Sequence, residues 1–486
     1  MTIPRSDNAA SPEGSSPLRR LLKMLSIDDA IRYAVLQRIW QLLTGPVTQI
    51  LIVLNFSRGT QDYYSAFIGL LGTQVFVELG LSVVLINVAS HEWAGLKLIH
   101  GAVEGNPAAL SRLASLNRMM LKWYAVTALL FAVVVSVTGI VFFQNTQSAR
   151  ADDLARENIE WLFPWLSLVL LNAGQLVLLP QTAILEGCHQ LDVINRIRFR
   201  QILIGSVIVW GMLISGGGLW VLSASAAVRL AGEYYLVRHQ FHGFFSSLQT
   251  SRAEQVLDWR QEILPLQWRI AVQGMVLWAA THLPLLYVFR GQQTGDAARL
   301  GMTWTILSAL QAASLAWIET RRPRFGTLIA EKKYSLLDSE FFRMAIISIG
   351  LMLAGAITLL AFVWFINLRD EWVFVRLSER LLPVSSVLVY GAGFVATQPG
   401  LCANIYVRAH KRDPFLVAAT VSNLALAVLQ IVLGRQFGVA GVAWGYLVGM
   451  TFFQTPLFVF IWEKTRREWH AENSGAAESR KEALDR

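Results

Sequence analysis

Glu78, Arg229 and Glu233 lie inside stretches otherwise built of hydrocarbon. Glu78 interrupts "FVELGLSVVLINVASHEW" at 76–93, and Arg229 and Glu233 stand four residues apart, on one face of a helix. An arginine in mid-bilayer costs from ~3 to over 10 kcal/mol, so such groups face water or a partner. Counted inward at ~1.5 Å per residue, Arg229 is ~16 Å beyond Gly218, and Glu78 is ~22 Å beyond Tyr63, near the depth of Glu233. Two readings follow. Glu78 and Arg229 form an ion pair that locks two helices together, or the pair lines a wet cavity in which Arg229 attracts an anion.

Pro46 in "TGPVTQ" and Pro284 in "THLPLL" also lie within apolar runs, where proline removes a backbone hydrogen bond and bends a helix. Both serve as hinges in a rocking molecule, or as static kinks. His282, beside Pro284, then belongs to a cavity wall or is a satisfied core histidine. Arg38 and Arg269 fall near one membrane boundary. They are anchors that snorkel to the interface, or a cationic vestibule for a phosphate headgroup. His189, His410, Asp192 and Asp413 read as loop or cap residues. Within the apolar runs, carboxylates are confined to Glu78, Glu233 and, at helix ends, Glu186 and Glu319. Cationic groups match or outnumber them, which suits an anionic substrate.

The elements that must position these residues are transmembrane helices. The chain has 486 residues, 54% hydrophobic and only 15% charged, far too apolar for a soluble protein of this length. Runs of ~20 apolar residues recur throughout, each able to cross a core of ~30 Å. Twelve spans are expected, near 36–55, 64–89, 119–143, 160–184, 199–215, 219–237, 267–289, 299–319, 344–367, 382–404, 415–433 and 440–462. With both termini cytoplasmic, nine of the 42 Lys and Arg fall outside: Arg58, Arg150, Arg156, Arg290, Arg299, Arg369, Arg376, Arg380 and Arg435. That is the positive-inside bias, so the net charge of +9 reports topology and contact with anionic lipid rather than nucleic acid. Cys188 and Cys402 fall at cytoplasmic helix ends and are expected to stay reduced; no metal or cofactor site is indicated.

Weak internal matches recur in order, at an offset drifting from about 231 to 221 residues: "LQRIW" with "LQWRI", "RGTQD" with "RGQQTGD", "HQLD" with "HKRD", "GGLWVLSASA" with "GVAGVAWGYL". They predict an all-α polytopic membrane protein made of two six-helix lobes, a parallel repeat, around a central cavity. The expected divisions are a cytoplasmic tail at 1–25 without a cleavable signal, a first lobe at 26–237, a linker at 238–265, a second lobe at 266–465 and a tail at 466–486. The linker reads as an amphipathic helix on the membrane surface. Short external loops and the lack of a Gly-rich phosphate loop argue against an enzyme or an ATP-driven pump; Asp152 and Asp153 read as a solvated loop.

"FVELGLSVVLINVASHE" at 76–92, "GMTWTILSALQAASLAWIETRRPRFGTLIA" at 301–330 and the six-plus-six layout resemble the multidrug/oligosaccharidyl-lipid/polysaccharide exporter superfamily. More narrowly, they are similar to polysaccharide biosynthesis proteins of the O-antigen flippase type. The resemblance implies alternating access in a bacterial inner membrane. Its substrate would be an undecaprenyl-pyrophosphate-linked oligosaccharide, moved from inner to outer leaflet for surface polysaccharide export alongside a polysaccharide polymerase and other assembly proteins. Glu78 matches the acidic position of the family's second helix. Arg229, Arg38, Arg269 and His282 would then contact the headgroup, with Glu78 and Glu233 tuning the cavity. The rival expectations are an ion-coupled antiporter of small organic ions and a non-transporting scaffold of a polysaccharide-synthesis complex.

Overall fold

A computed structural model of the chain describes residues 29–149, 159–250, 259, 264–291, 293–410 and 414–484. The 1–25 tail, Asp152 and Asp153, most of the linker after 250, Asp413, the side chain of Arg38 and the side chains after 469 lie outside the described residues.

The first half contains α1 (Asp29–Asn55), then a segmented helix made of α2 (Arg58–Leu71), a 3-10 turn (Gly72–Gln74), α3 (Val75–Glu78) and α4 (Leu81–Trp93). A hairpin, β1 (Leu96–Ile99) and β2 (Ala102–Gly105), leads to α5 (Pro107–Ala149), α6 (Leu162–Gly187), α7 (Leu191–Ile214), α8 (Trp220–Tyr235) and α9 (His242–Thr250). The second half contains α10 (Leu264–Gly291), α11 (Asp296–Glu319), α12 (Arg322–Ala330), α13 (Tyr334–Asn367), α14 (Trp372–Ser378), α15 (Val384–Ala409), α16 (Leu416–Val448) and α17 (Thr455–Leu484).

The chain is an all-α, multi-pass membrane protein in its described core. Among the described residues, seven helices are long and apolar enough to cross a bilayer, and the one at 416–469 carries two of the expected spans. Spans 1, 2, 6 and 8 are also helical, but they are shorter, interrupted or more polar. On these helices Gln49, Gln61, Arg229 and Thr305 line cavities. A left-handed glycine precedes the sixth span of each half: Gly218 (φ +51) before α8, and Gly438 (φ +62) where α16 kinks. The turn needs a backbone that L side chains rarely adopt, which explains a glycine at each place.

Three local features add to this picture. One short hairpin joins the helices: its two-residue turn, His100–Gly101, has positive φ at both positions, and β1 pairs antiparallel with β2. The linker helix α9 does not present its apolar face to lipid. Phe244, Phe245 and Leu248 are buried in the core formed with the hairpin and α5. Val103 N–H donates to Ser247 Oγ at 3.1 Å, and Arg118 donates to the Gln249 carbonyl at 3.1 Å. Finally, Pro46 and Pro284 lie inside α1 and α10, each one helix. The discontinuity lies in the second span, where Leu79 (φ +50) and Gly80 (φ +68) are left-handed.

Candidate functional site

The break beside Glu78 explains that residue locally. It stands two positions before the Gly80 N-cap of α4, where a carboxylate is favoured by the unpaired N–H groups of the helix end. Its Oε1 accepts from the Ser82 hydroxyl at 2.5 Å. The expected Glu78–Arg229 pair does not form. A Cβ on Gly80 would lie 2.3 Å from Ile270 Cγ2, so glycine both permits the turn and lets α10 pack against it.

Arg229 and Glu233 border a cavity of about 500 Å³ enclosed by α1, α2, α6, α7 and α8. Its polar wall includes Gln37, Gln41, Gln175, Gln201 and Arg198. Helix α1 is tied to α7 by indole bonds, Trp210 Nε1 to Thr48 Oγ1 at 2.9 Å and Trp40 Nε1 to Ser206 Oγ at 3.2 Å. Gln201 lies over Gly232 of α8. Arg198, not singled out by the sequence, bonds Glu186 at 2.7 Å and Glu233 at 3.5 Å. Its charge is thereby matched, while Glu233 Oε2 is buried without a hydrogen-bond partner. Arg229 differs. It is exposed to the cavity, and no carboxylate lies within ion-pair distance of it among the described residues. Arg198 was legible only through its spacing from Glu186 and Glu233, which needs the fold to be seen.

A second cavity, about 310 Å³, lies between the halves. Gln49, Gln61, Tyr64 and Ser65 come from the first half, and His282, Trp304, Thr305 and Tyr390 from the second. Tyr64 lines both cavities, and the neighbours Thr48 and Gln49 line one each. His282 Nδ1 is 2.7 Å from Thr281 Oγ1, and its ring stacks on Trp278 at 6.0 Å. Pro284 also lines this cavity. The structure therefore brings Arg229 with Glu233, and His282 with Pro284, into two adjoining spaces. Arg269 lines neither. It is exposed at the start of α10, 5.8 Å from the Trp268 ring.

The halves are fastened at the Arg58 end. Asp62, 1% exposed, accepts from the Gly295 and Ala298 N–H groups, each at 2.6 Å, and so neutralises the start of α11. Arg58 pairs with Glu379, Arg376 donates to the Leu54 carbonyl at 2.8 Å, and Arg380 to the Phe56 carbonyl at 2.5 Å. Burial, with Arg58 nearby, lowers the Arg380 pKa to about 10, which leaves it charged at neutral pH. Phe289 of α10 enters the aromatic cluster of Tyr63, Phe142 and Phe143, with its centroid 5.2 Å from that of Tyr63. Sequence reasoning missed this seam because Asp62 looks like an ordinary helix-end aspartate.

No family model matches the chain, and no curated protein matches its sequence. Solved structures do. The lipid II flippase MurJ in an inward closed conformation superposes with a TM-score of 0.58 at 13% identity, over 91% of this chain and 90% of that one. An inward-facing multidrug resistance MATE family transporter of the MOP superfamily superposes with a TM-score of 0.50 at 12% identity, over 89% of this chain and 98% of that one. At these identities the likeness is one of fold: the chain shares the architecture of these membrane transporters.

Proposed function

We propose that the protein is a flippase for a polyprenyl-pyrophosphate-linked oligosaccharide, undecaprenyl being the carrier. In the expected orientation it carries the headgroup from the inner to the outer leaflet of a bacterial inner membrane, by alternating access. The carrying observation is Arg229: a cation within a membrane-crossing bundle, open to a polar cavity, with no carboxylate within ion-pair distance of it among the described residues. A pyrophosphate supplies the missing charge. In hydrocarbon each unsatisfied polar group costs several kcal/mol, and a hydrated wall of glutamines removes that cost while the polyprenyl tail stays in lipid. Arg198 is held by two carboxylates and shapes the site more than it attracts an anion. The MurJ fold, solved for a lipid II flippase, supports the reading.

The test is reconstitution of the full chain in liposomes with a fluorescent polyprenyl-pyrophosphate oligosaccharide and a leaflet-selective quencher. Movement by wild type, lost in Arg229→Gln and partly kept in Arg229→Lys, is expected. Equal movement by wild type and Arg229→Gln would refute the assignment. A second reading, ion-coupled antiport of small organic ions, is favoured by one observation: the buried, unpartnered Glu233 Oε2 is a ready proton acceptor. It predicts uptake driven by a pH gradient with no requirement for a polyprenyl chain.

A further inference from the structure

The cavity between the halves has a different chemistry from the one at Arg229. Of the residues lining it, His282 is the one imidazole, and no carboxylate, lysine or arginine is among them. Its walls are aromatic rings, amides and hydroxyls. Trp304 is fixed there by ring contacts to Phe394 (5.1 Å), Tyr446 (5.7 Å) and Tyr390 (5.9 Å). Gln61 is 2% exposed, yet its Oε1 has no hydrogen-bond partner, and its Nε2 makes only a 3.8 Å contact to Met302 Sδ. A buried carboxamide oxygen left unpaired costs ~1–3 kcal/mol unless a donor arrives.

We infer that this cavity is a glycan subsite: the neutral sugar nearest the pyrophosphate packs on Trp304 and donates a hydroxyl to Gln61, while the pyrophosphate lies across Tyr64 at Arg229. The inference deepens the flippase reading and rests on it. Aromatic surface takes the C–H face of a pyranose, and amides and hydroxyls take its O–H groups; a charged ligand would find no counter-charge here. A lipophilic cation is the competing occupant, since aromatic walls attract cations too. The missing carboxylate weighs against it.

The test measures binding of two probes to the full chain in nanodiscs by calorimetry: farnesyl pyrophosphate, and a farnesyl-pyrophosphate trisaccharide of neutral sugars. Wild type is expected to bind the sugar-bearing probe at least ~10-fold more tightly. Trp304→Leu and Gln61→Leu should erase that difference and leave farnesyl pyrophosphate binding unchanged, and Trp304→Phe should keep most of it. Arg229→Gln should weaken both probes alike. If the sugar adds nothing in wild type, or if Trp304→Leu and Gln61→Leu weaken both probes equally, the subsite is refuted and the Arg229 assignment stands. If neither probe binds wild type, the flippase reading falls and takes the subsite with it. Tetraphenylphosphonium forms the third arm: binding that is lost in Trp304→Leu while sugar selectivity survives would assign the cavity to cations and overturn the inference.

Discussion

The interiors of the two halves differ in how they satisfy their polar groups. The first half keeps its charges open: Arg229 faces a cavity of about 500 Å³, and Glu233 retains an unpartnered oxygen. The second half bonds several interior polar groups to one another, although Gln398 Oε1 and Gln454 Oε1 stay without a partner. Gln398 Nε2 donates to Ser314 Oγ at 2.7 Å and Ser348 Oγ at 2.9 Å, and Ser348 donates to the Ser314 carbonyl at 2.9 Å. Gln430 donates to the Ala280 carbonyl at 3.0 Å, and Gln454 to Asn423 at 3.2 Å. Nearby, Gln398 and Ser348 have no exposure at all. Side chains bonded to one another rigidify a core, whereas a cation open to a cavity invites a ligand. Two halves of similar layout have thus gone different ways: one holds its shape, and the other holds the means to bind.

The comparison breaks if charge in the first half is dispensable. Arg229→Gln should cut transport per folded molecule about 10- to 100-fold, the equivalent of ~1.5–3 kcal/mol for a bond to a charged group, with the thermal midpoint little changed. In the second half the expectation reverses. Gln398→Leu removes the two bonds that the Ser314 and Ser348 hydroxyls accept and should cost ~1–3 kcal/mol of stability, read as a lower thermal midpoint in detergent, with transport per folded molecule retained. Where the halves meet, Asp62→Asn loses charge-assisted bonds to the start of α11. Spin labels at the exposed positions 55 and 372 should show a longer-distance population, enlarged about tenfold for each ~1.4 kcal/mol lost. The smallest effect belongs to Arg269→Gln. As an exposed residue that lines neither cavity, it should change stability by no more than ~0.5 kcal/mol and transport less than twofold. A large transport loss there would restore the cationic vestibule and move the site toward the start of α10.

The membrane class was legible because apolar runs long enough to span a bilayer have few other uses. The depths of Arg229 and Glu233 followed from residue counting, and both border one cavity. Partnership was not legible. Glu78 at the depth of Arg229 suggested a pair, but depth fixes only one of three coordinates, and Leu79–Gly80 turns the chain just where a continuous helix was assumed. A left-handed Leu-Gly pair inside an apolar run has no periodic signature, while Pro46 and Pro284 do attract notice and yet each lies inside one helix. Asp62, Arg198 and Gln61 escaped because their importance comes from what the opposite helix brings: the N-terminus of α11, the carboxylates Glu186 and Glu233, and a cavity wall. The apolar face of α9 was read correctly as apolar, and the hairpin that covers it was not foreseen.

The central claim is that Arg229 borders water and holds a pyrophosphate there. Ser225 lines the same cavity and leaves Arg229 in place, so Ser225→Cys reports on it directly; Cys188 and Cys402 are both buried. The account predicts that Ser225→Cys reacts with a charged, membrane-impermeant thiol reagent, and that farnesyl pyrophosphate slows the reaction unless Arg229 is also changed to Gln. A thiol at 225 that stays unreactive in folded protein, or that farnesyl pyrophosphate protects equally with and without Arg229, would contradict it.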